Sequence, residues 1–339
     1  MLFLENEIFF SIIMPTYNSE KTIEKALASI RKQKFDQKSI EILVIDGGSK
    51  DKTLDIATQY GATIIENPEK VPEAAKRLGY QQAKGKWIIK QDSDEVYVDD
   101  LQLARKKLFI ENNPNVYCLL TDKLLAGEKC GISCAYLNYC GDPFSYIVYE
   151  LRGSIVKQNK RYLYKQDEYG IVYKYRKGDK YPIGDGGCTA FSIEKFRELF
   201  GEKYDSQEYV NLATQKILEE TFYCGCIPED NIYHFSKADI KSYLKKVRFK
   251  IHFNLCGTNA LGYAAKAESD KRYSRRKWLF VLYAVSVILP IIDCVKMAMR
   301  QNDASFLLHF FYTYYVLVIA VIEVIRKAMK KEKNNYSYG

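Results

Sequence analysis

Along the first hundred residues, short apolar runs alternate with stretches in which apolar residues recur at helical spacing. Residues 8–14, 40–45, 62–65 and 87–89 are compact apolar runs bounded by Pro, Gly or acidic residues, as buried strands are. Pro15 reads as the stop of the first run. Between the runs, Ile23, Ala26, Leu27 and Ile30 share one helical face, with Ser19 as the candidate cap. Residues 53–60 and 72–83 read as two further helices, with Pro72 in a first turn. Strands separated by helices of this length predict βαβ units, so the fold class is α/β with a parallel sheet.

Further along, residues 101–109 read as a helix and 116–120 as a strand. Residues 136–181 are rich in tyrosine, including Tyr136, Tyr139, Tyr146, Tyr149, Tyr162 and Tyr175. Such rings suit sugars, a membrane interface or ordinary core packing. From about residue 237 the pattern changes. Ile240, Tyr243, Leu244, Val247 and Ile251 line one face of a helix whose other face is lysine-rich. Two apolar runs follow, from Trp278 to about Met299 and from Ala304 to Ile325. The second has the length needed to cross a bilayer, about twenty residues. The first is interrupted by Pro290 and Asp293. Basic clusters flank the pair outside, and only Lys296 and Arg300 lie between, which places both outer ends in the cytoplasm. The pattern predicts a catalytic domain at 1–235, a basic amphipathic connector at 236–275, a two-helix membrane hairpin at 276–328 and a basic tail at 329–339. The protein is expected at the cell membrane, with its catalytic domain on the cytoplasmic side.

Charge and composition narrow the chemistry. The 339 residues carry 51 Lys+Arg against 42 Asp+Glu, a net charge of +9. The excess flanks apolar runs instead of forming a free patch, which argues against nucleic acid as a partner. None of the nine cysteines falls in a CxxC pair, so free thiols are expected. GxGxxG and GxxxxGK[ST] are both missing, which disfavours dehydrogenases and P-loop phosphotransferases. What the strands do carry is acid at their ends: Asp46 after the second, Asp92 and Asp94 after the fourth. In open α/β sheets, ligands bind outside the carboxyl ends of the strands. Carboxylates one residue apart can share a hard cation whose remaining ligands are phosphates.

Taken in order, Pro15-Thr16-Tyr17-Asn18, Asp46-Gly47-Gly48-Ser49-Lys50-Asp51, Ala75-Lys76-Arg77-Leu78-Gly79, Ala83-Lys84-Gly85 and Asp92-Ser93-Asp94 resemble glycosyltransferase family 2, whose fold is GT-A. The resemblance is strong over residues 8–100 and weaker to about 235. It implies an inverting hexosyl- or N-acetylhexosaminyl-transferase with a nucleotide-sugar donor, most often UDP-linked, and Mn²⁺ or Mg²⁺ as cofactor. It implies donor binding by Pro15, Thr16, Tyr17, Asp46, Lys76, Asp92, Ser93 and Asp94, with Asp46 at the uracil. Metal binding would fall to Asp92, Asp94 and His234. Gly186 and Gly187 would lie on the acceptor side. Two departures stand out. Gly47 occupies a position where relatives often have a second Asp. Glu208-Tyr209 stands where the family has Glu-Asp, leaving Glu208 or Asp205 as the base, or no base at all. A phosphate acceptor needs no deprotonation, so polyprenyl phosphate joins a lipid-linked saccharide as a candidate acceptor. A non-catalytic nucleotide-sugar-binding scaffold is the alternative from a different class.

Overall fold

The computed structural model describes residues 7–179, 181, 187–206, 209–210, 212–228, 230–236, 239–256 and 271–329. The chain divides into two compact units: Met1–Gly127 with Ser154–Phe235, and Glu128–Gly153 with Ser236–Gly339. Residues 128–153, read from the sequence as part of a catalytic domain ending at 235, thus belong with the C-terminal helices.

In the first unit the strands are β1 (Phe10–Thr16), β2 (Ile40–Asp46), β3 (Thr63–Glu66), β4 (Trp87–Lys90), β5 (Glu95–Tyr97), β6 (Cys118–Leu120), β7 (Leu124–Ala126), β8 (Leu163–Asp167), β9 (Gly170–Lys174), β10 (Thr189–Ser192), β11 (Tyr223–Cys226) and β12 (Ile232–His234). Nine of them form one sheet in the order β3-β2-β1-β4-β10-β6-β11-β9-β8, and β5-β12-β7 form a small second sheet. The block β3-β2-β1-β4 is parallel throughout, as the alternating pattern predicts. Beyond it β10 runs antiparallel to both β4 and β6.

Alternate residues of the parallel strands enter two different cores. Phe10, Ile12, Ile42, Val44 and Ile89 pack with Ile23, Ala26, Leu27 and Ile30 of the helix Ile23–Arg31. Ile13, Leu43, Ile45 and Ile88 pack on the other face with Ala75 and Tyr80 of the helix Pro72–Gln82. The sheet is covered on both sides, which is why its strands read as continuous apolar runs. Pro15 does not end β1. Pairing with β4 stops at Ile13↔Lys90, whereas pairing with β2 continues to Thr16↔Asp46, so proline sits where one ladder has already ended. Ser19 does not cap the helix with its side chain; its carbonyl accepts the Thr22 and Ile23 amides, at 3.0 Å each.

The second unit is helical. Its core is aromatic: the Tyr136 ring centroid lies 6.0 Å from Tyr243, 5.7 Å from Phe306 and 5.2 Å from Tyr312. Tyr136, Tyr146 and Tyr149 are therefore core residues here. Over the stretch expected as a two-helix hairpin, the helices are Lys271–Val285, Ile288–Gln301 and Leu308–Ala328. The first apolar run breaks at Ser286–Val287, and the helical stretches on either side meet at 93°. Pro290 explains where: its missing N–H is harmless only in a first turn, so a new helix starts two residues before it. Ser286 supports that start, its Oγ accepting the Leu289 amide at 3.3 Å. Among the described residues, one helical stretch, Ala304–Ala328, is by length and composition long and apolar enough to cross a membrane, and the bent pair Arg276–Val285 with Ile288–Gln301 passes the same test taken together.

Candidate active site

Three loops meet at the carboxyl ends of β1, β2 and β4. Asp46 closes β2, is only 5% exposed, and organises the loop that follows. Its Oδ2 accepts the Gly48 and Ser49 amides at 2.9 Å each, and its Oδ1 accepts the Ser49 hydroxyl at 2.5 Å. Gly48 has φ +94°, a left-handed conformation that glycine adopts without strain. The residue read as a base contact thus also fixes the shape of its own loop. The loop after β1 is tied to it: the Asn18 amide donates to Ser49 Oγ and the Lys50 amide to Asn18 Oδ1, both at 2.9 Å. Ser93 Oγ donates to Ser19 Oγ at 2.9 Å, which joins the third loop. Pro15 and Thr16 lie in β1 opposite Ile45 and Asp46, and Tyr17 just beyond is 61% exposed.

Asp92 and Asp94 occupy a turn directly after β4, closed by the Glu95 amide donating to the Asp92 carbonyl at 3.0 Å. The chain then reverses into β5. β12 pairs antiparallel with β5, with His234 opposite Glu95. That register brings His234 Nε2 to 3.3 Å from Asp94 Oδ2, although 140 residues separate them in sequence. The start of β12 is anchored from below. Lys106, buried on the helix Gln102–Asn112, forms an ion pair with buried Asp230. Gln102 Nε2 donates to Asp230 Oδ1 and to the Asn231 carbonyl, both at 2.8 Å.

The charges converge on Asp92. Although Asp92 is exposed at the surface, the crowding of protein around its carboxyl, and next the charge of Asp94, raise it above the ordinary carboxylate value, while Lys76, His234 and Lys90 pull it back. Lys76 comes from the helix Pro72–Gln82, so the predicted donor-side lysine and acid pair share one site. Glu95 lies beneath, 3% exposed, its Oε2 accepting the Asp92 amide at 3.0 Å. Burial, then the nearby Asp92 charge, push its carboxyl well above the usual range.

Two carboxylates one residue apart suit a hard divalent cation, with the imidazole of His234 supporting one of them, and the crowding of Asp92 by Asp94 is what a cation would relieve. Among the described residues, no three acidic, histidine or cysteine side chains form a ready-made cage; His234 Nε2 faces Asp94 at 3.3 Å. The arrangement fits an ion whose shell is completed by a ligand's phosphates.

The acceptor-side expectations fare differently. Gly187 has φ +68°, and a Cβ there would fall 2.3 Å from Leu124 Cδ2 and 3.7 Å from Glu95 Oε1. It packs against the same turn. Gly186 and Glu208 lie outside the described residues. Asp205 accepts the Gln81 side-chain amide at 2.7 Å. Gln81 is in the last turn of the helix Pro72–Gln82, which leads into β4. Tyr209 packs against Phe200 with the rings tilted, centroids 4.9 Å apart. Sequence reasoning missed Ser49, Ser19, Lys90 and Glu95. Only Glu95 carried a signal, as a third acid in the Asp92-Ser93-Asp94-Glu95 run.

Residues 11–126 match the model of glycosyl transferase family 2. A poly(ribitol-phosphate) beta-glucosyltransferase of Bacillus spizizenii is 34% identical over 324 residues, covering 86% of this chain and 48% of that protein. The poly(ribitol-phosphate) beta-N-acetylglucosaminyltransferase TarS of Staphylococcus aureus is 32% identical over 125 residues, 35% of this chain and 22% of that protein. The matches thus span less than half the length of both relatives. A solved structure, the mannosyltransferase PcManGT from Pyrobaculum calidifontis in complex with GDP-Man and Mn²⁺, is 15% identical with a TM-score of 0.55, covering 95% of this chain and 88% of that one. That likeness shows the fold, and it is the expected GT-A fold.

Proposed function

Residues 11–126 are a glycosyltransferase family 2 domain, and on that premise we propose that the protein transfers a sugar from a nucleotide sugar, with UDP as the nucleotide, to an acceptor held at the membrane. The observation that carries the reading is the β5–β12 register that sets His234 beside Asp94, with Asp92 and Lys76 in the same electrostatic neighbourhood.

Asp92 and Asp94 would hold a divalent cation, with His234 supporting Asp94. Such an ion supplies Lewis-acid neutralisation of the leaving diphosphate. Lys76 adds a positive charge from the helix Pro72–Gln82. The tied loops after β1 and β2 present Thr16, Tyr17 and Asp46 to the nucleoside. Glu95 fixes the turn through the Asp92 amide. An oxocarbenium-like sugar carbon then meets the acceptor nucleophile, with inversion.

The acceptor reading rests on two supports. The relative that covers most of this chain is named for a poly(ribitol-phosphate) acceptor, so a hydroxyl on a phosphate-rich or lipid-linked glycan is the first choice. Asp205, engaged by the Gln81 side chain, favours a second: a lipid phosphate, already ionised at neutral pH.

The test is a donor screen with purified full-length protein, Mn²⁺ or Mg²⁺, and short polyprenyl-phosphate, polyprenyl-diphosphate-sugar and poly(ribitol-phosphate) acceptors. Transfer should vanish with a chelator and return with metal. Unchanged transfer by Asp94→Ala would overturn the reading.

A further inference from the structure

We propose that the C-terminal helices of the second unit lie in the plane of one anionic lipid leaflet and do not cross the bilayer. The inference takes its occupant, lipid, from the membrane reading above; its test is read without sugar transfer, so either can fail alone.

The apolar surface is extensive. Trp278 is 73% exposed, Leu282 68%, Ile288 65% and Met299 77%, and Phe311 and Val321 are exposed on Leu308–Ala328. The charges around it have one sign. Between residues 276 and 329, every charged side chain that is exposed is a cation: Lys277, Lys296, Arg300 and Lys327. The three acids of that stretch are engaged within the unit. Asp293 Oδ2 accepts the Tyr283 hydroxyl at 3.2 Å, Asp303 Oδ1 accepts the Ser305 amide at 2.8 Å, and buried Glu323 lies 2.8 Å from both His252 Nδ1 and Arg326 NH1. An apolar face with a purely cationic fringe matches an anionic leaflet.

Geometry then decides between crossing and lying flat. Leu308–Ala328 is the one described helix of spanning length, but it is not independent. Its Tyr312 ring lies 4.3 Å from that of Tyr243, Tyr315 Oη donates to the Leu244 carbonyl at 3.2 Å, and Glu323 meets His252. From Tyr312 to Glu323 is about 16 Å of helix, so Ile240–Cys256 runs alongside for over half of a hydrocarbon core of about 30 Å. That neighbour exposes Lys241, Lys245 and Lys250, the last with its ammonium 3.9 Å from Asp142. A crossing would carry these lysines into hydrocarbon, where charge is strongly disfavoured. The other two helices have 15 and 14 residues and meet at 93°, so neither spans alone. Lying flat buries the apolar face and leaves the lysines in water.

The decisive experiment labels single added cysteines with a membrane-impermeant maleimide, using full-length protein in host membranes and the unsubstituted protein as baseline. Lys277→Cys, Gln301→Cys and Lys327→Cys should all react in inverted vesicles and none in intact spheroplasts. A Gln301→Cys that reacts only in spheroplasts means a spanning hairpin and overturns the proposal. Membrane-free protein that elutes as a dimer, with its apolar face covered by a second copy, overturns it as well. A second measurement fixes depth and charge. Trp278 fluorescence should be quenched more by lipids brominated near the headgroup than near the chain end. The double substitution Lys296→Glu with Arg300→Glu should weaken binding to phosphatidylglycerol vesicles about tenfold or more. Deep quenching, or binding unaffected by the charge reversal, counts against an in-plane anionic site.

Discussion

His234 Nε2 stands 3.3 Å from Asp94 Oδ2, and it does so because β12 pairs with β5 immediately after the acidic turn. The contact positions Asp94, and in the proposed reaction Asp92 and Asp94 would face the ligand. The two residues should therefore fail differently. Asp94→Asn should lower turnover by at least about a hundredfold, since several kcal/mol of charge stabilisation go with it. His234→Ala should weaken Mn²⁺ binding about 10–100-fold, the range for supporting partners of metal ligands. Mn²⁺ titration followed by electron paramagnetic resonance separates them. Equal metal affinity in His234→Ala and the parent would remove His234 from the site.

Asp205 leads to the opposite expectation. It is held by Gln81 near the end of the helix Pro72–Gln82, about 7.5 Å further along the axis than Lys76. Asp205→Asn keeps a hydrogen-bonding side chain there and should change kcat by less than about twofold. A drop of a hundredfold or more (about 2.7 kcal/mol) would restore Asp205 as the base.

Much of this was legible in the sequence, for physical reasons that can be named. Buried parallel strands must be apolar on both faces, so β1, β2 and β4 announced themselves, and the acids at their ends marked the ligand edge. The helix face of Ile23, Ala26, Leu27 and Ile30 is fully buried as its period requires. What local pattern could not supply was pairing at a distance. Nothing in residues 128–153 signals that Tyr136 packs against Tyr243 and Tyr312. Hydropathy also cannot tell a lipid-facing helix from one with a buried polar stripe; His309, Thr313 and Glu323 form such a stripe on Leu308–Ala328. Pro290 was seen as an interruption, but the 93° break it accompanies depends on backbone geometry at Val287, φ +58°.

Two glycines near the turn should respond in opposite directions. Gly47 does not have a left-handed φ, and a Cβ there would meet its nearest neighbours at 3.6 Å, ordinary contact. Gly47→Ala should be neutral or stabilise by about 0.4–1 kcal/mol through the unfolded chain. Gly187 combines φ +68° with a Cβ position 2.3 Å from Leu124. Gly187→Ala should destabilise by about 2–4 kcal/mol, joining left-handed strain to overpacking. Urea unfolding of both variants checks the pair; similar midpoints would mean that the packing around Gly187 yields easily.

The packing of the second unit argues against removing the apolar C-terminal helices without loss of the fold. Removing residues 271–339 takes away Tyr312, whose hydroxyl lies 2.5 Å from Ser133 Oγ and whose ring covers Tyr136 and Tyr243. Both of those rings are 0% exposed in the full chain. Stripped of their cover, they leave a large apolar patch on the remaining Glu128–Gly153 and Ile240–Cys256 segments, the kind that drives association. The truncated chain should aggregate or lose its cooperative melt. Trp278→Ser with Leu282→Ser changes only exposed positions and should shift Tm by no more than about 2 °C, while still weakening vesicle binding. Differential scanning calorimetry of the two proteins side by side makes the comparison. A truncated monomer that melts like the full chain would show that the aromatic core of the second unit holds without its last helix.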